Sequence, residues 1–343
     1  MKLGKRMAAM MMALTTVATM IGSAGAVSYN GVNMTTGVAR RTLFSDNPEN
    51  ITSSNSTNGY LAGTTFSANE RMDFEFYHHN YTGSTKRFGV VVQNGNSTAV
   101  TLTLNNKAIG TSDSDAASEL LMTAPVARNF FKSTATAVTI PAKSSRFVLY
   151  SDVPSGKLVN GKLSMTSNKG SVYARIVYGN TSTAASTYFN ITNQEKASGS
   201  QFSGQLNYAQ KNVTVNANTT TAFMLGEWVG KVNGTRPFKN TNEYTTVLSY
   251  KSGGSECLGA NFGIPYQVTI KNASGKRLKI TPSWSGSAKV ANIVLKNAAG
   301  TWYTTGNITS GSWYYALGSG NSATVTIVIP SANCGNMLCE VVS

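Results

Sequence analysis

The chain has 343 residues, 13% of them charged and 9% aromatic, with a formal net charge of +15. That length supports two domains with a sizeable core, and 2 His and 3 Cys exclude sites built on clusters of either residue. Abundant Ser, Thr and Asn beside 32 Gly indicate short strands and polar turns, and so few charged residues argue against an α-rich enzyme.

Residues 1–26 read as an export signal. Lys2, Lys5 and Arg6 form a positive start, Met7 to Met20 an apolar stretch, and Ala24-Gly25-Ala26 a small-residue cleavage pattern. The apolar run is short for crossing about 30 Å of hydrocarbon, and no later run is long enough. The expectation is a secreted or cell-wall associated protein with no transmembrane segment after cleavage.

Residues 27–195 form the first expected domain. Met72, Phe74, Phe76 and His78 alternate with Asp73, Glu75, Tyr77 and His79, the period of a strand with two unlike faces. This puts His78 in the core and His79 at the surface beside the two acids. Phe88 to Val92 and Val100 to Leu104 read as strands joined by a hairpin through Asn94-Gly95. Val138 to Ile140, Arg146 to Tyr150, Gly161 to Met165 and Val172 to Tyr178 continue the series. One helical insertion interrupts it, with capping residues at Asp113 to Leu121 and a second turn set from Pro125 to Lys132.

Apolar residues thin out after residue 180, and 196–204 reads as a connector. Residues 205–343 form a second strand-rich domain that includes Val213 to Val215, Tyr266 to Ile270, Arg277 to Ile280, Ser312 to Ala316 and Ala323 to Ile329. Lys271 to Lys276 joins two of these strands much as Gln93 to Thr98 does in the first half. The expected fold is all-β, with two antiparallel β-sandwich units of immunoglobulin or jelly-roll-like type.

Several motifs resemble a family of secreted, β-rich proteins of Gram-positive, spore-forming bacteria. They are Phe44-Ser45-Asp46-Asn47-Pro48-Glu49, Phe76-Tyr77-His78-His79-Asn80, Phe88 to Val92 with Asn94, Leu225-Gly226-Glu227-Trp228 and Asn261 to Tyr266 with Lys271-Asn272. Relatives often carry copper amine oxidase N-terminal-like stalk domains, of which no repeat is evident here. The resemblance implies export and no particular activity, and no Asn-Tyr-Asp/Glu signature for a quinone cofactor is present.

Catalytic constellations are sparse. Adjacent His78 and His79 point to opposite faces, so the metal candidate is His79 with Glu75, with Asp73 nearby, and this trio also centres an alternative reading as a metal-dependent hydrolase. No resident metal, cofactor or catalytic residue is expected, since nucleophile-elbow, phosphate-loop and dinucleotide motifs are all missing. Cys334 and Cys339 are a possible disulfide, with Cys257 to either one also open.

Residues 27–195 hold 14 basic and 10 acidic side chains, and 196–343 hold 12 and 4. The second domain therefore carries most of the positive field, and it holds all 4 Trp. Trp302, Tyr303, Trp313 and Tyr314 are the expected ligand-binding residues, since aromatic rings stack on sugar faces while the positive field attracts polyanions. Alternation requires each adjacent aromatic pair to split between faces. An anionic cell-wall polymer or polysaccharide is the expected partner. Self-association through the same rings is the alternative, and nucleic acid is not expected in the absence of a reading motif.

Overall fold

A computed structural model of the chain describes residues 32–197, 201–220, 222–226, 243, 247–250, 253–282, 290–333 and 336–343. The described residues are all-β apart from one α-helix and two short 3-10 turns, and they divide into two compact units. Strand β1 (Met34–Val38) lies almost wholly in the second unit, which comprises the described residues up to 37 with 210–244 and 258–343. The first unit is residues 38–209 with 245–257.

The first unit runs β2 (Thr42–Ser45), β3 (Asn50–Thr52), β4 (Gly59–Phe66), β5 (Arg71–Tyr81), β6 (Lys86–Asn94) and β7 (Val100–Asp113). Helix α1 (Ala116–Lys132) follows, then β8 (Thr136–Ile140), β9 (Ser145–Val153), β10 (Lys157–Ser167), β11 (Val172–Asn180) and β12 (Ser203–Leu206). A nine-stranded sheet has the order β16-β15-β12-β2-β5-β10-β7-β8 with β3 beside β5, where β15 is Val247–Ser249 and β16 is Ser255–Glu256. A four-stranded sheet has the order β4-β11-β6-β9. One core takes Leu43, Phe74, Phe76, Leu102 and Leu163 from the first sheet and Leu61, Phe88, Val90 and Ile176 from the second. Each such side chain contributes about 1.5–3 kcal/mol by leaving water.

The second unit continues with β13 (Gln210–Asn216), β14 (Ala222–Leu225), β17 (Pro265–Lys271), β18 (Arg277–Pro282) and β19 (Val294–Lys296). It ends with β20 (Trp302–Thr304), β21 (Trp313–Ala316), β22 (Ser322–Val328) and β23 (Met337–Val342). Its sheets are β1-β13-β17-β22-β19-β20 and β14-β23-β18-β21. Val213, Val268, Ile270, Val325 and Ile327 of the larger sheet share a core with Phe223, Leu278, Ile280 and Cys339 of the smaller.

The expected alternation holds along β5, whose Met72, Phe74 and Phe76 enter the core. Three features depart from the sequence reading. The expected Asn-Gly hairpin is a corner between sheets, because β6 pairs with β9 and β11 while β7 pairs with β8 and β10. Asn94 holds that corner: its Nδ2 donates to the carbonyls of Thr98, Ile140 and Pro141 at 2.8, 3.1 and 3.0 Å, and its Oδ1 accepts from Asn96 N at 2.8 Å. The Lys271 to Lys276 turn is likewise a corner, passing from β17 in one sheet to β18 in the other.

The second departure is in the units, which are not contiguous. The expected connector 196–204 runs into β12, and Val247–Glu256 contributes β15 and β16 to the same nine-stranded sheet. Strand pairing is non-local, so it overrides an expectation drawn from local composition. Three parallel pairings, β2 and β3 with β5 and β13 with β17, also interrupt the expected antiparallel pattern.

Third, the two helical segments form one helix. The Asp115 side chain caps it by accepting from Ser118 N at 3.0 Å, and Pro125 sits inside. The carbonyl that Pro125 leaves without its usual donor is that of Leu121, an exposed residue.

Candidate functional site

Alternation along β5 puts Arg71, Asp73, Glu75, Tyr77 and His79 on one face. The sequence reading leaves His79 and the acids at the surface. The structure instead buries Glu75, Tyr77 and His79, with α1 reaching over them through Glu119 and Phe130. Arg40 Nη1 donates to Asp73 Oδ2 at 3.0 Å, and Tyr77 donates to Glu119 Oε2 at 3.0 Å. Lys162 pairs with Glu75, and its ammonium lies 5.4 Å from the Phe130 ring.

Lys162, the register partner of Glu75 on β10, engages the carboxylate that the metal candidate of His79 with Glu75 would use. His79 meets two other acids. Its Nε2 lies 3.7 Å from Glu49 Oε1 and 3.7 Å from Glu119 Oε1, and its Nδ1 is 3.0 Å from Ser114 Oγ. Gln201 Nε2 donates to Glu49 Oε2 at 2.6 Å. Burial pushes Glu119 up to about 7 and His79 down to about 4, and it raises Glu49. At neutral pH the imidazole is therefore uncharged, while Glu119 titrates across neutrality. Among the described residues, no group of three His, Cys, Asp or Glu is arranged to hold a metal ion.

His78 sits on the core face, stacked on Phe88 with ring centroids 6.2 Å apart. Its Nδ1 lies 2.7 Å from Pro48 O, and its Nε2 lies 3.0 Å from Ser45 Oγ. Burial pushes its pKa down to about 4. A carbonyl only accepts, so the neutral ring carries its proton on Nδ1, and Nε2 accepts from the Ser45 hydroxyl. The two N-terminal motifs of the family resemblance thus meet in one polar network, through Ser45 and Pro48 with His78 and through Glu49 with His79.

The four aromatics expected to bind ligand do not form one platform. Tyr303 lies on β20, an edge of the six-stranded sheet, and Trp313 on β21, an edge of the four-stranded sheet. Their ring centroids are 6.1 Å apart, and Trp313 stacks on Tyr315 at 6.3 Å. All three rings pack against the core as a seam between sheet edges. Burial pushes Tyr303 up to about 12, with Tyr315 adding to the shift. The period of two sends Trp302 and Tyr314 to the opposite faces. There Lys296 Nζ lies 5.7 Å from the Trp302 ring centroid, and the Arg277 guanidinium lies 5.2 Å from that of Tyr314, which is 47% exposed.

Cys339 is a buried free thiol that donates to Met337 O at 3.7 Å, and burial pushes its pKa well up. Cys334, Trp228 and Trp284 lie outside the described residues. A cleft of about 460 Å³ in the first unit, lined by Ala39, Arg40, Arg41, Glu70, Arg71 and Asn207, escaped the sequence reading. Its only sequence signal is the Arg40-Arg41 doublet. Glu70 and Asp73 engage Arg41 and Arg40, while Arg71 donates to Ser164 Oγ and Asn106 Oδ1.

No protein family and no curated protein matches the chain. Among solved structures, the PBSX exported protein XepA is 9% identical over 85% of this chain and 88% of its own, with a TM-score of 0.18. The CUB1-EGF-CUB2 domains of rat MASP-1 are 7% identical over 88% and 100%, with a TM-score of 0.21. The T=1 Penaeus vannamei nodavirus structure is 9% identical over 92% and 99%, with a TM-score of 0.17. Likenesses at these scores carry no argument about fold or function.

Proposed function

We propose that the protein is an exported, non-catalytic component of the cell envelope or extracellular space that binds anionic wall polymer or glycan. In this reading the two units are largely antiparallel β-sandwiches of immunoglobulin or jelly-roll-like type, and the second does the binding. The observation that carries the proposal is the pair of outward aromatic–cation sets on that unit, Trp302 with Lys296 and Tyr314 with Arg277. Each combines a ring for a sugar face with a charge for a nearby anion. Export is supported by the positive start, apolar stretch and small-residue pattern of residues 1–26. No helix among the described residues is long and apolar enough to cross a membrane. The hydrolase reading centred on His79 is the weaker one, because the side chains of His79, Glu49 and Glu119 are nearly sealed.

Fractionation of producing cells, followed by co-sedimentation of the purified protein with purified anionic wall polymer, tests both halves. The protein should be found outside the cytoplasm and should pellet with the polymer, and Trp302→Ala should pellet less. Retention in the cytoplasm refutes export, and wild-type protein left in the supernatant refutes binding.

A further inference from the structure

The outer face of the six-stranded sheet refines the proposal and rests on its glycan-binding reading. Val213, Val215, Val268, Ile270, Val325, Ile327 and Leu295 fill the inner face, so the residues between them point away from the core. Cross-strand register aligns Asn212 with Gln267, Gln267 with Thr326, Thr326 with Lys296, and Lys296 with Trp302. These five side chains form one row across β13, β17, β22, β19 and β20. Strands lie about 4.8 Å apart, so the row is about 19 Å long. Thr214, Thr269 and Thr324 form a second row alongside it.

The row is ordered before any ligand arrives. Gln210 Nε2 donates to both Asn212 Oδ1 and Gln267 Oε1 at 2.9 Å. On the neighbouring strand β1, a Cβ at Gly37 would lie 2.2 Å from Asn212 Oδ1, so glycine makes room for the amide. Amides held this way lose little freedom on binding. The charge is one-sided too. None of the six strands contains Asp or Glu, while Lys271 and Lys296 belong to the outer face.

The geometry points to this face as the seat of a linear acidic polysaccharide, a chain of sugar rings bearing carboxylates, lying across the strands from Asn212 to Trp302. The amides and hydroxyls pair with sugar hydroxyls, Trp302 offers an aromatic surface at one end, and an acid-free sheet with Lys296 in the row complements carboxylates. The row's length matches a chain of several sugars, not a single one.

Binding of the purified protein to polygalacturonate, neutral dextran and single-stranded DNA at about 0.1 M salt tests this assignment. Gln267→Glu and Thr326→Glu place a like charge in the row, and each should weaken polygalacturonate binding about tenfold at unchanged melting temperature. Asn129→Asp, the same type of change at an exposed residue of α1, should leave binding unchanged. Dextran or DNA bound as tightly as polygalacturonate overturns the inference. So does full affinity in both row variants, although retention on wall polymer would then still uphold the broader proposal. If wild-type protein binds no polyanion at all, both readings fall.

Discussion

The Glu75–Lys162 pair gives the sharpest test of how the helix-covered face is held together. Their side chains are only 3% and 6% exposed, so neither charge is substantially hydrated. Lys162→Met preserves most of the side-chain volume but leaves the Glu75 carboxylate buried without its cation. Breaking a buried pair from one side costs about 3–5 kcal/mol. The lost contact with Phe130 adds to this by about 1 kcal/mol. For a unit of this size, each kcal/mol shifts the melting temperature by about 2–4 °C, so the single variant should melt about 15 °C lower. The double variant Lys162→Met/Glu75→Gln removes the uncompensated charge and should recover most of that loss. Thermal unfolding at pH 7, followed by circular dichroism, reads both. A single variant that loses less than about 1 kcal/mol, or a double variant whose loss is the sum of the singles, refutes the account of a charge stranded out of water.

Buried Glu119 and His79 should leave opposing marks on the pH dependence of stability. Burial raises Glu119 from 4.5 to about 7, so the folded state holds that proton more tightly, and the resulting stability, about 3 kcal/mol, is lost as pH rises from 4.5 through 7. His79, lowered from 6.5 to about 4, acts on the opposite side, with stability lost as pH falls from 6.5 towards 4. Chemical denaturation of wild type and Glu119→Gln across pH 4–8 isolates the first contribution: wild type should lose about 3 kcal/mol relative to the variant between pH 4.5 and 7, and a difference that does not change with pH contradicts the assignment. Asn94→Ala should cost about 3 kcal/mol by stranding buried carbonyls at the intersheet corner, read by urea midpoint at constant m-value. Trp313→Ala should cost about 2 kcal/mol because its ring closes the seam, whereas Tyr314→Ala should stay within about 0.5 kcal/mol. Equal losses in the two would mean the aromatic faces are misassigned.

Period-two alternation was the most legible feature of the sequence. It places Phe74 and Phe76 inside, separates His78 from His79, and requires Trp302–Tyr303 and Trp313–Tyr314 to divide between faces, as they do. What it cannot supply is partnership over distance. The acids around His79 come from the loop before β3 and from α1, and the cation on Glu75 comes from β10, so local spacing favours Glu75 as the neighbour of His79. The Asn94-Gly95 corner fails for a related reason. A tight polar turn has the same local chemistry whether the chain returns beside its own strand or crosses to the opposite sheet. The same limit hides the unit boundaries, since Val247–Glu256 joins a sheet whose other strands lie earlier in the chain. Shielding by α1 is also absent from any strand pattern, which is why a face rich in ionisable groups reads as surface.

The central claim is that the second unit binds anionic polymer through outward aromatic–cation sets, and a salt titration of binding to purified anionic wall polymer tests it most directly. Wild-type protein should bind at about 0.1 M salt and lose much of its affinity by about 1 M, where the screening length falls from about 10 Å to about 3 Å. The Trp302→Ala/Tyr314→Ala variant should bind more weakly at every salt concentration with its fold intact. No binding at low salt, or wild-type affinity in the folded double variant, would contradict the account.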